Sequence, residues 1–405
     1  MELLRYMLSN LVRRPLRALF VIVAGFLSAA VLVFSFALGV RVTEHIRTDT
    51  IAKWTGHLWV SAADDFEFKE EKVPSYVSQA ADVRAYLSGN PRTIAMIPWA
   101  VTGCEIQAGT ARQRVMVTVT DLDKDELYRQ KTELVEGRFP GAADEYGLLI
   151  TTVLAAKYKL KTGDSITAFI PSAFGARNAM DFIVMGIYRP SAPWWDDGIT
   201  VRAQDYITMS ELGDAFPFYK AYVKDEGAIA GMVRDLKTRA PDFKVQGYRD
   251  DNFVRFLLSL GTSNILLFGF MAMIIFLALL IGIRSVILTN IFDRRDEIGT
   301  LRALGFRRGT VRNLFFGESL VSLLMGYLLG AVFVVAVGWY FGAATVRPPL
   351  LMLQYMFGMT RMALTVNAAS LFVPLALLLG VLFLTTFRTV GRETEKQAAA
   401  QMANR

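Results

Sequence analysis

Residues 18–40 read ALFVIVAGFLSAAVLVFSFALGV, a run of 23 residues without a charged side chain. About 20 helical residues cross the hydrocarbon core of a bilayer, where the backbone has to satisfy its own hydrogen bonds. The run therefore predicts a membrane-spanning helix. Arg13, Arg14 and Arg17 precede it, as basic residues precede the core of a signal peptide. Because such a core is only about 7–15 residues long, we interpret the segment as a retained signal anchor.

Three more uncharged runs are long enough to span a membrane, at 256–283, 319–346 and 362–387. Of the 405 residues, 53% are hydrophobic and 20% are charged, compared with about 25% charged in soluble proteins. The net charge is +7, and the basic excess flanks the apolar runs, whereas a nucleic-acid binder would carry it on a folded basic face. The sequence predicts an α-helical membrane protein with four transmembrane helices and no nucleic-acid partner.

Arginines indicate the side of the membrane on which each loop lies. They cluster before the first run, within 291–313 and after the fourth run, whereas the loop between the third and fourth runs has only Arg347 and Arg361. The positive-inside rule then places both termini and the 291–313 loop in the cytoplasm. We expect this order: cytoplasmic segment 1–17, helix 18–40, extracytoplasmic domain 41–255, helix 256–290, cytoplasmic loop 291–313, helix 314–346, extracytoplasmic loop 347–361, helix 362–387 and cytoplasmic tail 388–405.

The large segment between the first two runs mixes strand and helix patterns. Residues 228–239 place Ile229, Met232 and Val233 on one side of a helix, and the stretch 171–179, rich in small residues, predicts an exposed loop. The fold class predicted is four transmembrane helices plus a large extracytoplasmic α+β domain inserted between helices 1 and 2. Strand patterns occur at 114–120, 165–170, 182–188 and 243–248.

Little in the chain suggests catalysis or cofactor binding. Cys104 is the single cysteine, which excludes an intrachain disulfide framework and a cysteine-based zinc site. His45 and His57 are the only histidines, so a His-rich metal site is not expected. No Gly-x-x-x-x-Gly-Lys-Ser/Thr loop occurs in the 405 residues. We expect no enzymatic activity, no metal and no cofactor.

The loop 293–312, DRRDEIGTLRALGFRRGTVR, is the most informative cytoplasmic segment. Ile298, Leu301 and Leu304 repeat every three residues, so a short helix ended by Gly305 would present them on one side. Such a stripe is suited to a groove on a partner protein. It would equally suit anionic lipid headgroups, and the pattern alone leaves both interpretations open.

The run 295–305, RDEIGTLRALG, resembles the signature of FtsX-like permeases, membrane subunits of ABC transporters that include MacB-like and lipoprotein-releasing permeases. Residues 10–19, NLVRRPLRAL, are similar to the start of that family, and residues 136–138 and 184–188 are similar to its MacB-like periplasmic core. The resemblance implies that the loop couples to an ATPase through Arg295, Glu297, Ile298, Gly299, Leu301, Arg302, Ala303, Leu304 and Gly305.

The resemblance also implies a bacterial inner-membrane location and a mechanotransmission mechanism of the type VII kind. The expected partners are a separate ABC ATPase subunit and a second permease copy or homologue. The layout is most similar to lipoprotein-releasing permeases, with a lipoprotein cargo and a periplasmic carrier. MacB-like efflux with an adaptor protein and FtsX-like control of a cell-wall hydrolase are alternatives, and a non-transport membrane receptor is a different class. Residues 387–394, FRTVGRET, depart from the family's usual tail.

Other residues have two interpretations each. Arg284 and Glu318 are charges near lipid, where charge is costly, yet long side chains reach water near the interface. Ser322, Gly326 and Gly330 form a stripe of small residues for close helix packing, within one subunit or between two. Trp194 and Trp195 either form a partner-binding loop or pack in the domain core.

Overall fold

The computed structural model describes residues 15–62, 81–172, 176–211, 216, 218–293, 299–300, 304–305, 307–344, 346–380 and 382–383. The chain divides into two compact units. The helix unit comprises Met1–Val42, Thr262–Val346 and Met362–Arg405. The sheet unit comprises Thr43–Gly261 and Arg347–Arg361. Apolar helices and a large β-rich domain are therefore both present, as predicted.

Three described helices are long and apolar enough to cross a membrane, at Ala18–Thr55, Asn252–Ile275 and Phe316–Ala343. In the fourth predicted span the described residues contain the shorter apolar helix Ala368–Gly380, and the count of four remains a prediction. The helices in chain order are α1 Pro15–Thr50, α2 Ala81–Gly89, α3 Glu126–Lys131, α4 Thr152–Tyr158, α5 Ala203–Ser210, α6 Ile229–Arg239, α7 Asn252–Asp293, α8 Arg308–Ala343, α9 Leu351–Phe357 and α10 Ala368–Gly380.

In the helix unit, α1 and α8 approach each other at glycines. A Cβ atom added at Gly330 would lie 2.5 Å from the carbonyl oxygen of Phe26, and one at Gly25 would lie 2.7 Å from that of Leu323. Small residues allow such close backbone contact, which adds dispersion attraction between helices in lipid. The buried core around this contact includes Val33 and Tyr327.

The sheet unit is built on one sheet of ten strands among the described residues. Its main path runs β10-β1-β9-β2-β3-β8-β5-β7-β4, and β6 pairs with both β2 and β7. The β3–β8 and β5–β7 pairs are parallel and the others antiparallel. The strands are β1 Leu58–Ala62, β2 Thr93–Ala108, β3 Ala111–Thr120, β4 Glu133–Gly137, β5 Gly147–Thr151, β6 Ser165–Pro171, β7 Arg177–Arg189, β8 Gly198–Arg202, β9 Phe218–Val223 and β10 Phe243–Gly247.

Strand β2 belongs to both halves of this sheet because it is long. Its first part, from Thr93 to Trp99, pairs with β9 and so leads to β1 and β10. Its second part pairs with β3, and Glu105, Ile106 and Gln107 also pair with β6. The path β2-β3-β8-β5-β7-β6 therefore returns to β2 and forms a closed circuit, whose interior is filled by apolar side chains such as Phe182.

The four strand patterns noted in the sequence fall on β3, β6, β7 and β10, and the helical pattern falls on α6. Of the stretch 171–179, expected as an exposed loop, residues 173–175 lie outside the described residues, and the residues on both sides belong largely to strands. Strand β6 extends to Pro171 and β7 already begins at Arg177. Ser172 is buried, and its N–H donates to the carbonyl of Ala176.

Candidate functional site

Helix α1 ends in a wide turn within the sheet unit. After Thr50 the backbone continues as a π-helical turn, Ile51–Thr55, closed by a hydrogen bond of 3.0 Å from the Gly56 N–H to the Ile51 carbonyl. Gly56 has φ +66°, and a Cβ there would lie 2.9 Å from the carbonyl oxygen of Ala221. The glycine thus allows the chain to leave the helix directly onto β9. Such turns are rare and frequently lie at functional sites.

A buried ion pair lies under this turn. The Nζ of Lys220, on β9, is 2.6 Å from Oδ2 of Asp125, and both side chains are fully buried. The same ammonium donates to the carbonyl oxygen of Ala52 in the turn at 2.9 Å. The Asp125 carboxylate also accepts from the hydroxyls of Tyr222 at 2.8 Å and Thr120 at 2.7 Å. The pair therefore connects strands β9 and β3 and the loop before α3 to the end of α1.

Burial and aromatic rings define the electrostatics of this pair. Burial lowers the pKa of Lys220, and the attraction of Asp125 opposes that effect. The ammonium lies 5.6 Å from the ring centroid of Tyr128 and 5.4 Å from that of Tyr222, positions in which the ring faces attract a cation. Burial also raises the pKa values of both tyrosines. Each polar group thus has a partner, as a buried network requires.

A second buried pair lies at the end of α1 itself. Lys53, in the π-helical turn, is 3.2 Å from Asp49 one turn earlier. Its ammonium donates to the Ser191 hydroxyl at 2.6 Å, and the Trp195 indole N–H donates to Asp49 at 3.2 Å. The loop after β7 is therefore held on the end of α1. The two pairs therefore hold the same turn against two different parts of the sheet unit, strand β9 and the loop after β7.

Aromatic rings connect the end of α1 to the start of α7. The Trp54 ring lies 5.2 Å from Trp99, 5.9 Å from Trp195 and 4.9 Å from Phe253, which belongs to the first turn of α7. We call the turn, the two ion pairs and this cluster the α1 junction. Its groups are already engaged with one another, so its chemistry suits mechanical connection and gives no reason to expect catalysis.

Most of the predicted coupling loop lies outside the described residues, including Arg295, Glu297, Ile298, Leu301, Arg302 and Ala303. Gly299 is described as helical, and Leu304 donates its N–H to the Thr300 carbonyl at 3.0 Å. Leu304 is 71% exposed, and Gly305 has φ +90°. The positive φ is one that glycine adopts readily after a helical turn.

The remaining predicted residues lie in several places. The backbone of Arg284 is in α7, and Glu318 is half-buried in α8. The Ser322 hydroxyl donates to the Glu318 carbonyl. Gly330 lies against α1 of the same chain, and so does Gly326, where a Cβ would collide with the Ile22 carbonyl.

The two tryptophans pack within the sheet unit. Trp195 is buried in the α1 junction, and Trp194 is half-buried, with its ring close to Gly358. Their indole groups contact the domain itself, and little of Trp195 is left for a partner.

Sequence reasoning did not find Lys220, Asp125 or Asp49. Lys53 and Asp49 carry a weak signal, since they are four residues apart at the end of an apolar helix. Nothing in the sequence pairs Lys220 with Asp125, because the contact joins positions 95 residues apart through the sheet order.

Comparisons with known proteins concern both units. The family model of the FtsX-like permease C-terminal domain matches residues 268–392. The macrolide export ATP-binding/permease protein MacB of Sodalis glossinidius (strain morsitans) is 29% identical over 96 residues. That match covers 24% of this chain and 15% of the relative, so the chain spans only a small part of that protein's length.

Two solved structures match about half of this chain at low TM-scores. The periplasmic region of MacB from Actinobacillus actinomycetemcomitans is 12% identical, with a TM-score of 0.37 over 51% of this chain and 94% of that one. The extracellular domain of the noncanonic ABC-type transporter YknZ from Gram-positive bacteria is 13% identical, with a TM-score of 0.34 over 47% and 98%.

The family match confirms the resemblance predicted from the 295–305 motif. That motif lies within the matched residues, together with most of α7 and all of α8. Residues 268–392 are therefore similar to the C-terminal domain of FtsX-like permeases, and part of the chain is similar to a MacB-type ABC transporter protein.

Proposed function

We propose that this chain transmits the work of a separate ABC ATPase to its sheet unit on the extracytoplasmic side of the membrane. The observation that supports this most is the construction of α1. One helix contains an apolar span and continues into the α1 junction, where two buried ion pairs hold it. A displacement of the end of α1 would therefore displace the sheet.

The buried pairs support a mechanical role because they resist separation. Removing one partner of a buried ion pair typically costs about 3–5 kcal/mol, far more than an exposed pair contributes. Both pairs join the turn Ile51–Thr55 to elements distant in sequence, namely β9 and the loop after β7. Load on α1 is thereby shared between two parts of the sheet unit.

On the cytoplasmic side we assign the contact to the 293–312 loop. Ile298, Leu301 and Leu304 would enter a groove on the ATPase, a common way for an apolar stripe to bind. Two copies of this chain, or this chain with a homologue, would bind two ATPase subunits. Closure of the ATPases on ATP would then move the spans together with the loop.

For the cargo we propose acylated proteins, released from the outer leaflet to a periplasmic carrier. The support is the layout, with one domain of the lipoprotein-releasing kind between the first and second spans. MacB-like efflux with an adaptor is supported equally, because the curated relative is a macrolide export protein. Control of a cell-wall hydrolase is a third use of the same motion.

Replacement of Leu301 by Asp tests the coupling. A carboxylate buried without a partner costs several kcal/mol, enough to dissociate a complex of ordinary affinity. We expect loss of ATPase pull-down and of stimulated ATP hydrolysis in the reconstituted complex. The control is Arg308→Ala, outside the apolar stripe, which should change both readings little. Full assembly and turnover with Leu301→Asp would assign the loop to the lipid surface.

A reconstitution with the ATPase in proteoliposomes separates the cargo alternatives. ATP-dependent transfer of an acylated protein to a soluble carrier would support lipoprotein release. ATP-dependent movement of a macrolide that requires an adaptor would support efflux. The chain without its ATPase should hydrolyse no ATP above background, because its 405 residues contain no P-loop.

A further inference from the structure

The segment Arg347–Arg361 of the sheet unit carries an exposed apolar face. Its helix α9 is short, yet Leu351, Met352 and Tyr355 are all exposed, and Leu350 directly before it is exposed as well. Met352 reaches 77% exposure. Positions i, i+1 and i+4 of a helix lie on one side, so these side chains form a continuous patch, which we call the α9 face.

The other side of the segment is fixed to the sheet unit. Phe357 and Met359 are buried. Thr360 donates its N–H to the Ser191 carbonyl at 3.1 Å and its hydroxyl to the Pro190 carbonyl at 2.6 Å. Gly358, with φ +61°, lies against Trp194. The α9 face is therefore presented by an anchored element.

Arginines flank this face. Arg361 donates to both oxygens of Glu133 at 2.8 and 3.0 Å, and Arg189 is 3.7 Å from the same carboxylate. Burial lowers the pKa of Arg189, with further contributions from repulsion by Arg361 and Arg347. Arg347 also acts on Asp196. Arg361 and Arg189 thus share the single Glu133 carboxylate, and an excess of positive charge remains in this cluster.

The exposed guanidinium of Arg347 points to an anionic ligand. Within the described part of the chain, the Nε atoms of Arg189 and Arg361 lack a hydrogen-bond partner, but both are buried, and the Nε of Arg189 lies 3.7 Å from Glu133. Arg347 is exposed. A guanidinium binds phosphate well because its planar group of donors matches the phosphate oxygens.

Chain length limits where the segment can lie. The apolar helix ends at Ala343, so three residues separate it from Arg347. The four Cα–Cα steps from Ala343 to Arg347, at about 3.4 Å each, span about 14 Å at most. The segment therefore follows the end of an apolar helix closely along the chain, and an apolar helix face beside basic residues is typical of interfacial helices.

We propose that the α9 face enters the outer leaflet of the membrane, and that Arg347 with Arg361 and Arg189 binds the phosphates of anionic lipids there. The proposal goes beyond the transport function and rests only on the membrane location of the chain. The sheet unit would then contact the membrane through the α9 face as well as through the helices α1 and α7.

Fluorescent labelling of the full chain in lipid nanodiscs tests the apolar part. Cys104 is buried, and its replacement by Ala leaves a background without cysteine. An NBD group on Met352→Cys should show blue-shifted emission and quenching by lipid-attached spin labels. The same group on Lys237→Cys, exposed on α6, should show neither. Equal behaviour at the two positions would overturn the proposal, as would a disulfide-linked dimer through Met352→Cys, which would assign the face to a second copy.

The charged part is tested by lipid composition. In nanodiscs with phosphatidylglycerol, Arg347→Gln should lower the ratio of membrane-inserted to free NBD label on Met352→Cys about fivefold. This is the change in binding expected for the loss of one cation at an anionic surface. Arg361→Gln should lower it similarly, whereas the exposed Arg234→Gln should leave it unchanged. In pure phosphatidylcholine the differences should shrink. Identical ratios in both lipids for every variant would refute phosphate binding by these arginines.

Discussion

The sheet unit and the helix unit use opposite rules for their surfaces and interiors. The sheet unit buries apolar side chains and also encloses complete polar networks, such as Lys220 with Asp125. The helix unit leaves large apolar side chains exposed, among them Val332 and Trp339. Water drives apolar side chains inside, whereas lipid tails are as apolar as leucine. The difference is what water around most of the sheet unit and lipid around the helix unit would produce.

The units also differ in how their elements are held. The sheet unit is held together by backbone hydrogen bonds between its strands and by a core of apolar side chains. In the helix unit close approach at Gly25, Gly326 and Gly330 brings helix backbones into contact. Where no hydrophobic force joins helices, such contact supplies the attraction. Four experiments can break or sharpen this comparison.

The largest effect is expected for Lys220→Met in the sheet unit. It leaves the Asp125 carboxylate buried without a cation, which should lower the free energy of unfolding by about 3–5 kcal/mol. Unfolding of the full chain in nanodiscs, followed by tryptophan fluorescence, measures this. Lys124→Met is the matched control, because Lys124 forms an exposed pair with Asp121, and it should cost less than about 1 kcal/mol. Equal decreases in the free energy of unfolding for the two variants would mean that the buried pair contributes no more to stability than the exposed one.

The second-largest effect is expected when a lysine is introduced at one of two similarly exposed positions, one in each unit. Val332 is 66% exposed in α8, and Ile94 is 61% exposed in β2. If α8 lies in lipid, Val332→Lys should cost about 2.5–3.5 kcal/mol in membrane insertion. Ile94→Lys in water should stay within about 0.5 kcal/mol in stability. Insertion assays and unfolding curves measure the two, and a harmless lysine at Val332 would place that face outside the lipid.

A smaller effect, with opposite signs, is expected at two glycines of α8. Gly326→Ala places a methyl group against the Ile22 carbonyl, and overpacking costs about 1–3 kcal/mol. Gly342→Ala meets nothing within 4 Å, so the gain in helix propensity should leave stability unchanged or raise it by up to about 1 kcal/mol. Thermal unfolding in detergent compares the stability of the two variants. A Gly326→Ala variant more stable than the parent chain would show that α1 and α8 are not in contact.

The smallest effect concerns the pH dependence of the sheet unit. Burial, with a smaller contribution from Asp197, raises the pKa of Asp196 to about 6. An unfolded Asp titrates near about 3.9, so the folded chain holds this proton more tightly. The contribution of this group to stability is therefore full below about pH 4 and is lost as the pH rises to about 6.

Asp196→Asn should remove this dependence of stability on pH. The change in the free energy of unfolding should be less than about 1 kcal/mol, because the side chain is half exposed. Unfolding curves at pH 4.5 and 7 measure it, with the exposed Asp242→Asn as control. A slope that persists in Asp196→Asn would assign the proton to another group.

Much of the fold was predictable because its signals are local. Alternation of apolar residues located β3, β6, β7 and β10, and uncharged length located the three apolar helices. The motif at 295–305 indicated a resemblance to FtsX-like permeases, which the match to residues 268–392 confirms. The coupling role of that loop stays a prediction, because Leu301 and most of its neighbours lie outside the described residues.

The sequence by itself determined the apolar helices, the existence of a separate α/β segment and the resemblance to FtsX-like permeases, since each depends on residues close together in the chain. Only the tertiary structure decided that β2 serves two halves of the sheet, that Lys220 meets Asp125 under the end of α1, and that Arg361 meets Glu133. Such contacts join positions far apart in sequence through the order and register of strands. Burial then selects which charges must pair, and no local pattern encodes that choice.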